Sequence, residues 1–419
     1  MEDGSKLGFW KRLVLAQDLS DSWLEANKRL SVNGYMRARI RAVCTERRLN
    51  SEQSAAVLHF CQHRVTVIIG LPGIGKSTLV AAINELLEES KMKYWVRSES
   101  NAAVYVLAEK LAGEKQDQQA EGFLRIWPAF SEGYKCDQDD TRILSLEQTI
   151  RRRLTARENG RLGRPYWKEE GDQLRSFRSA HDQLASPPEE DKESEDEYEK
   201  YLENLRSTSH DALRTLQVGY AATSKGIFST AAAASGPFLR RFRPQALLMD
   251  ESSQMTEARA VHSIVLAAQS KLDRVLIIGD PKQLPPAIFS LRNIFLEYGN
   301  MSLMERLINA GLRPITLVEQ YRMYLSISSI INSTSYNGKL SDGSTVRGRE
   351  HAARFQAFMA QLATRSKTPF NTAISSITIS PERRAALHYV PQMMQSQMMQ
   401  GSTSRYNVQT AVIVLRTIF

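Results

Sequence analysis

Gly70-Leu71-Pro72-Gly73-Ile74-Gly75-Lys76-Ser77 follows directly on the apolar run Val65-Thr66-Val67-Ile68-Ile69. A short β-type run, a glycine loop and then a helical pattern leave few folds open. The glycines let the backbone curl so that successive N–H groups point inward, where they cradle phosphate oxygens. Lys76 reaches the outer phosphates, and Ser77 can set its hydroxyl on a divalent cation. The next stretch places Leu79, Val80, Ile83, Leu86 and Leu87 on one helical face, with the positive helix end toward the anion. An ordinary glycine turn would explain neither Lys76-Ser77 nor the preceding strand. Gly70, Gly73, Gly75, Lys76, Ser77 and Thr78 are therefore read as a nucleotide-phosphate site.

The rest of the chain agrees with an α/β architecture. Its 419 residues suffice for two or three domains. Residues 1–48 read as a helical, increasingly basic segment, and the arginines from Arg37 to Arg48 read as a solvated helix face rather than a nucleic-acid contact. Residues 49–311 read as a first domain. Within it, residues 112–215 are charged and read as a helical insertion without a strand. Ser145-Leu146-Glu147-Gln148 predicts a capped helix start there. Glu189–Glu199 holds eight acids in eleven positions and predicts a flexible or solvated segment. Strand-like runs return at Gly226–Ser229, Ala246–Met249 and Val275–Ile278, and alternation with helices predicts a parallel sheet. Pro314–Val318 reads as the first strand of a second unit, residues 312–419. Residues 391–403 read as a loop.

Two further strands deliver chemistry. Ala246–Met249 ends in Asp250-Glu251, which suits water-mediated Mg²⁺ binding by Asp250 and activation of the attacking water by Glu251. Gly279-Asp280-Pro281-Lys282-Gln283-Leu284-Pro285-Pro286 presents Gln283 as a sensor of the γ-phosphate. In Gln320-Tyr321-Arg322-Met323, Arg322 can neutralise charge that develops in phosphoryl transfer.

In this order the motifs resemble the superfamily 1 helicases, in particular the group of the nonsense-mediated-decay RNA helicase and its DNA-processing relatives. The resemblance runs from about Leu49 to Gly343 outside the insertion. It implies an α/β fold: a P-loop RecA-like parallel sheet with helices on both faces, a helical insertion and an incomplete second RecA-like domain. It implies ATP and Mg²⁺ as cofactors and single-stranded RNA or DNA as partner. In Leu49-Asn50-Ser51-Glu52-Gln53, it makes Gln53 the adenine reader; in the QYRM stretch, it sets Tyr321 beside the adenine and Arg322 on the γ-phosphate. Ser100-Asn101 and Thr230 are implied as contacts to the nucleic-acid backbone, although Asn101 equally suits a helix cap. Family threonine is replaced by Ile74, where the backbone does the binding. The Gln-Gly motif and final arginine motif expected in the family are not found before Phe419, so the resemblance implies a C-terminally truncated motor.

Other signals narrow the class. The formal net charge of +9 suits a polyanionic partner. Cys44, Cys61 and Cys136 show neither metal-ligand spacing nor a disulfide framework, which fits a reducing compartment. The sequence shows no membrane-length apolar stretch and no signal core, so a cytoplasmic or nuclear site is expected. His59 and His63 share a helical face without further ligands nearby, and Arg151-Arg152-Arg153 reads as a solvated face. A protein partner on the insertion is compatible with its charge. The main reading is an ATP-driven motor; the rival is a decayed relative that binds nucleotide or nucleic acid without translocating. A P-loop kinase or ATPase switch has no need of the QLPP and QYRM stretches.

Overall fold

The computed structural model describes residues 6–15, 23, 27, 30–113, 122–126, 145–160, 165–186, 195–235, 241–269, 271–288, 299–347, 397–398 and 405–406. It divides into two compact units: Met1–Leu71 with Gly75–Leu317, and Pro72–Ile74 with Val318–Phe419.

The first unit is built on a seven-stranded sheet. Its strands are β1 (Val65–Gly70), β2 (Tyr94–Ser98), β3 (Phe123–Ile126), β4 (Gly226–Thr230), β5 (Ala246–Met249), β6 (Arg274–Gly279) and β7 (Ile315–Leu317), in the spatial order β3-β4-β2-β5-β6-β1-β7. Every pairing in it is parallel. Successive side chains of a strand point to opposite faces. Since every residue of β2, β4 and β5 is buried, both faces of the sheet centre are covered, as parallel sheets require. Register places Ile69 opposite Gly279 and Met249 opposite Ile277. The glycine loop, the acid pair and Asp280 therefore leave the sheet at the same end.

Two strands fall where the sequence did not place them. β3 lies inside the stretch read as purely helical. Four residues with Arg125 among them carry little strand signal, and pairing with β4 along Phe123–Ile126 supplies what propensity does not. β7 pairs with β1 and completes the first sheet instead of opening a second one.

The N-terminal segment is packed onto this unit. Helix α1 (Lys6–Leu15) buries Trp10 and Leu13, and the Trp10 indole donates to the Leu272 carbonyl at 3.3 Å. Asn27 bonds both backbone groups of Val65, at 3.2 and 2.7 Å, and so anchors the start of β1. In helix α2 (Gly34–Glu46) and just beyond it, Arg39 and Arg47 pair with Glu89 and Glu85, while Arg37, Arg41 and Arg48 face solvent. Helix α3 (Ser51–Gln62) stacks His59 on His63 with ring centroids 3.6 Å apart. Burial first, then the neighbouring His63, lowers the His59 pKa to about 4. The glycine loop leads into α4 (Lys76–Glu89), and β2 into α5 (Asn101–Gly113).

The insertion comprises α6 (Leu146–Glu158), α7 (Glu170–Ala185) and α8 (Glu195–Thr223). The expected capping box at Ser145 and Gln148 is present. Residues 195–199 of the acid run form the first turns of α8, while residues 187–194 lie outside the described residues. Arg153 is not a solvated side chain, unlike Arg151 and Arg152. Its guanidinium grips both oxygens of the fully buried Glu170 at 2.8 and 2.9 Å. Glu170 also accepts from the Tyr166 N–H at 2.7 Å and the Tyr220 hydroxyl at 2.8 Å. One carboxylate thus ties all three helices. Glu170→Ala would leave the half-buried Arg153 and the Tyr220 hydroxyl without it, and is expected to destabilise the insertion by about 3 kcal/mol. Urea unfolding followed by tryptophan fluorescence checks this, because Trp167 packs on Tyr220; an unchanged midpoint would refute the pinning role.

Helix α9 (Glu257–Ala268) precedes β6, and α10 (Leu303–Asn309) follows it. The second unit contains β8 (Glu319–Gln320), α11 (Leu325–Thr334) and β9 (Ser341–Asp342), with β8 and β9 parallel. Gln397–Met398 and Arg405–Tyr406 pair as a short antiparallel ladder; the other residues of 391–403 lie outside the described residues.

Candidate nucleotide site and nucleic-acid loops

β1 ends at Gly70, and α4 begins at Lys76 behind Gly75, whose φ of 78° is left-handed. Glycine takes this conformation without a Cβ penalty. A Cβ there would also stand 3.0 Å from the Gln53 amide nitrogen. Gln53 is buried, and its Oε1 accepts from the Asn50 N–H at 3.0 Å in a capping box. The sequence-predicted adenine reader therefore has one end fixed on its own helix and the other beside the glycine loop.

The Lys76 ammonium donates to the Gly70 carbonyl at 3.2 Å and stands 3.2 Å from the Glu251 carboxylate. The loop lysine and the second acid, far apart in sequence, are thus in direct contact. Ser77 is half-buried in the first turn of α4. Thr78 accepts a 2.6 Å bond from Lys110 of α5. That lysine was not singled out by sequence, and it brings another positive charge to the start of the phosphate-loop helix.

Asp250 is buried at the end of β5, and its Oδ1 has no hydrogen-bond partner. An ionised carboxylate so placed is costly without a cation. Burial first, then the charge of Glu251, pushes its pKa up to about 6, against the pull of Lys76. An orphaned acid oxygen beside a lysine loop fits a divalent cation. Between its ordinary value of 3.8 and about 6 the unfolded chain has already lost this proton and the folded chain has not, so this group's contribution to stability falls as pH rises. Asp250→Asn is expected to raise the melting temperature in EDTA by about 3 °C at pH 8 and by less at pH 5. Equal gains at both pH values in differential scanning fluorimetry would contradict the buried, protonatable site.

Glu251 has a φ of 51°, a left-handed conformation that costs a non-glycine residue about 1 kcal/mol. Such strain concentrates at functional positions. The following turn is tied back to the sheet: Ser252 N–H donates to Ile278 O at 2.9 Å and Ser252 Oγ to Met249 O at 2.7 Å. Gly279 permits this approach, since a Cβ there would lie 2.8 Å from the Ser253 nitrogen. The Asp280 N–H donates to Ser253 Oγ at 3.2 Å, and Asp280 Oδ2 accepts from the Gln283 amide at 3.0 Å. Asp280, fully buried, holds Gln283 and links its loop to the turn that follows the acid pair.

In the second unit Gln320 organises the QYRM turn. Its Oε1 accepts from the N–H groups of Arg322 and Met323 at 2.9 and 2.7 Å, and its amide donates to Met323 O and to Asp342. The Tyr321 N–H donates to the Gly73 carbonyl at 2.9 Å. A Cβ on Gly73 would come within 2.7 Å of the Arg322 Cβ, so the glycine at this position leaves room for the base of the arginine side chain.

The nucleic-acid candidates sit on adjoining strand ends. Ser100 caps α5 by accepting from the Ala103 N–H at 3.1 Å. Asn101, for which a cap was equally open, instead begins the helix, and its carbonyl accepts from Arg125 at 3.3 Å. Thr230 is buried, and its hydroxyl accepts from the Ala233 N–H at 3.3 Å. The Ala231 N–H donates to Ser98 O at 3.0 Å, which fastens the two loops side by side.

The parallel sheet, the glycine loop at the end of β1 and the acid pair at the end of β5 define a P-loop nucleoside-triphosphate domain of RecA-like type. Comparison with known proteins takes this further. A family model described as an AAA domain matches residues 48–291, and a second AAA-domain model matches residues 299–418. The chain is 28% identical over 303 residues to the regulator of nonsense transcripts 1 homolog of Arabidopsis thaliana, covering 72% of this chain and 21% of that protein. It is 26% identical over 357 residues to the ATP-dependent helicase upf1 of Schizosaccharomyces pombe, covering 83% and 33%. Over 120 residues it is 35% identical to the 5'-3' DNA helicase ZGRF1 of Mus musculus, covering 29% and 6%. The chain belongs to the AAA-domain family, in its superfamily 1, nonsense-mediated-decay-helicase-like branch. It spans between about a fifth and a third of the length of the first two relatives. Among the described residues no helix is long and apolar enough to cross a membrane.

Proposed function

We propose that this chain is the ATP-hydrolysing motor core of a helicase that acts on single-stranded RNA or DNA. The observation that carries the reading is the direct pairing of Lys76 with Glu251 beside the buried Asp250 carboxylate, whose Oδ1 has no hydrogen-bond partner. Lys76 and the loop N–H groups bind the phosphates, Asp250 and Ser77 hold Mg²⁺, and Gln53 and Tyr321 receive the adenine. Mg²⁺, when bound, neutralises charge on the phosphate oxygens. Glu251 takes the proton of the attacking water, Gln283 senses the γ-phosphate, and Arg322 stabilises the charge that develops on it. Ser100, Asn101 and Thr230 mark the loops that grip the strand backbone.

Turnover by the purified chain, with and without single-stranded RNA or DNA, tests the reading. Stimulated hydrolysis that is lost in Lys76→Ala and in Glu251→Gln supports the motor. Binding without turnover favours the non-translocating relative instead. Affinity for the strand should fall as salt rises, because backbone contacts release counterions; salt-independent binding contradicts phosphate contacts.

A further inference from the structure

Arg97, near the end of β2, is fully buried and forms no hydrogen bond to a carboxylate among the described residues. Its guanidinium reaches backbone carbonyls on two separate elements instead. One amino group donates to Ala231 O at 2.6 Å and approaches Thr230 O at 3.5 Å; the other donates to Arg259 O at 3.3 Å. The guanidinium lies over the Trp95 ring, 4.9 Å from its centroid, and the Trp95 indole N–H donates to Ser229 Oγ at 2.9 Å. Side chains from one strand thus bond three consecutive residues, Ser229 and Thr230 at the end of β4 and Ala231 just beyond it.

The backbone of Arg97 faces the other way. Its carbonyl accepts from the Asp250 N–H at 2.8 Å. One residue therefore touches the Thr230–Ala231 junction at the end of β4, the first turn of α9 and the main chain of the Mg²⁺-binding acid. Two residues on, Glu99 pairs with the Arg259 side chain, and that clamps the same turn of α9 against the end of β2. Burying a guanidinium costs several kcal/mol unless its hydrogen bonds are met, and a hydrophobic residue would fill this space without such a cost. What the arginine adds is a planar fork with fixed directions.

We propose that Arg97 is a positioning residue: its fork sets the Thr230 loop against the Ser98–Asn101 loop and couples both to the acid pair, so that strand binding is felt at the ATP site. The proposal rests on the motor reading above. Lysine at this position keeps the charge and most of the stem, but it has no fork and cannot serve Ala231 and Arg259 in the same geometry.

The test compares wild type with Arg97→Lys in three measurements: ATP turnover without nucleic acid, ATP turnover with a 20-nucleotide poly-uridine strand, and binding of that strand, fluorescein-labelled, by anisotropy. Arg97→Lys is expected to bind the strand about tenfold more weakly, the effect of losing a charged hydrogen bond. It is expected to lose most of the stimulation while basal turnover and the KM for ATP stay within about twofold. Hydrogen exchange should quicken at residues 229–233 and 98–103 and not in the insertion. Wild-type affinity and stimulation in the variant overturn the proposal, as does an equal loss of basal and stimulated turnover. If Arg97→Lys does not melt cooperatively, Trp95→Phe decides instead: it keeps a ring under the guanidinium and removes only the bond to Ser229. A weakened strand affinity with intact basal turnover then supports the coupling, and an unchanged affinity refutes it. A wild-type chain that shows no stimulation at all is a failure of the motor reading, which the first measurement reveals on its own.

Discussion

Glu251→Gln is expected to lower kcat for ATP hydrolysis by about 10³-fold, within the range that a positioned general base contributes, while ATP still binds. The amide keeps the shape of the carboxylate and loses its ability to take a proton. Its contact with Lys76, 3.2 Å in the native chain, would weaken from an ion pair to a neutral hydrogen bond, which leaves the lysine freer to meet phosphate. Binding of a fluorescent ATP analogue should therefore be retained or slightly tighter. Single-turnover measurements separate the two effects. A variant that hydrolyses ATP at more than about a tenth of the native rate would remove Glu251 from the water-activating role.

Lys76→Ala is expected to impair both steps, with kcat/KM for ATP down by about 10³-fold or more, since the ammonium serves bound phosphate and transition state alike. The structure adds a consequence particular to this site. Removing Lys76 takes away a cation that draws the Asp250 pKa down and that directly faces Glu251. Both acids then repel each other without compensation, so Asp250 should hold its proton to higher pH and bind Mg²⁺ more weakly. Because Lys76 and Glu251 touch, the two substitutions share one loss, and the double variant should fall short of the product of the single effects. Full multiplicativity in kcat/KM would show that the lysine and the acid act separately.

How much of this was legible in the sequence depended on the distance over which each feature is encoded. The glycine loop, its strand and the face of α4 were readable because phosphate cradling is local backbone chemistry within eight residues. The capping box at Ser145 was readable for the same reason. Asp250-Glu251 was readable as an acid pair at a strand end, and the structure adds the left-handed backbone of Glu251 and its contact with Lys76. The four residues of β3, with Arg125 among them, hold no periodicity, and the strand comes from pairing with β4. β7 reads as a strand, but nothing in Ile315–Leu317 says that β1 is its partner rather than a strand of a second sheet. Arg153 read as one of three like charges on a helix; only the fold brings Glu170 to it. Asp280 and Lys110 carried no signal as partners of Gln283 and Thr78, which lie three and thirty-two residues away.

The sequence alone determined the class of chemistry: which residues can curl around phosphate, which strands end in acids, and where arginine and glutamine recur in the order of a helicase-type motor. Tertiary structure alone decided which of these side chains meet. Lys76 reaches Glu251 because β1 and β5 run parallel in one sheet with β6 between them, so that their ends emerge at one edge. Arg97 became a fork among carbonyls through the same cause. Partners that sit more than a hundred residues apart are chosen by strand register and burial, and neither is written in any local stretch of chain.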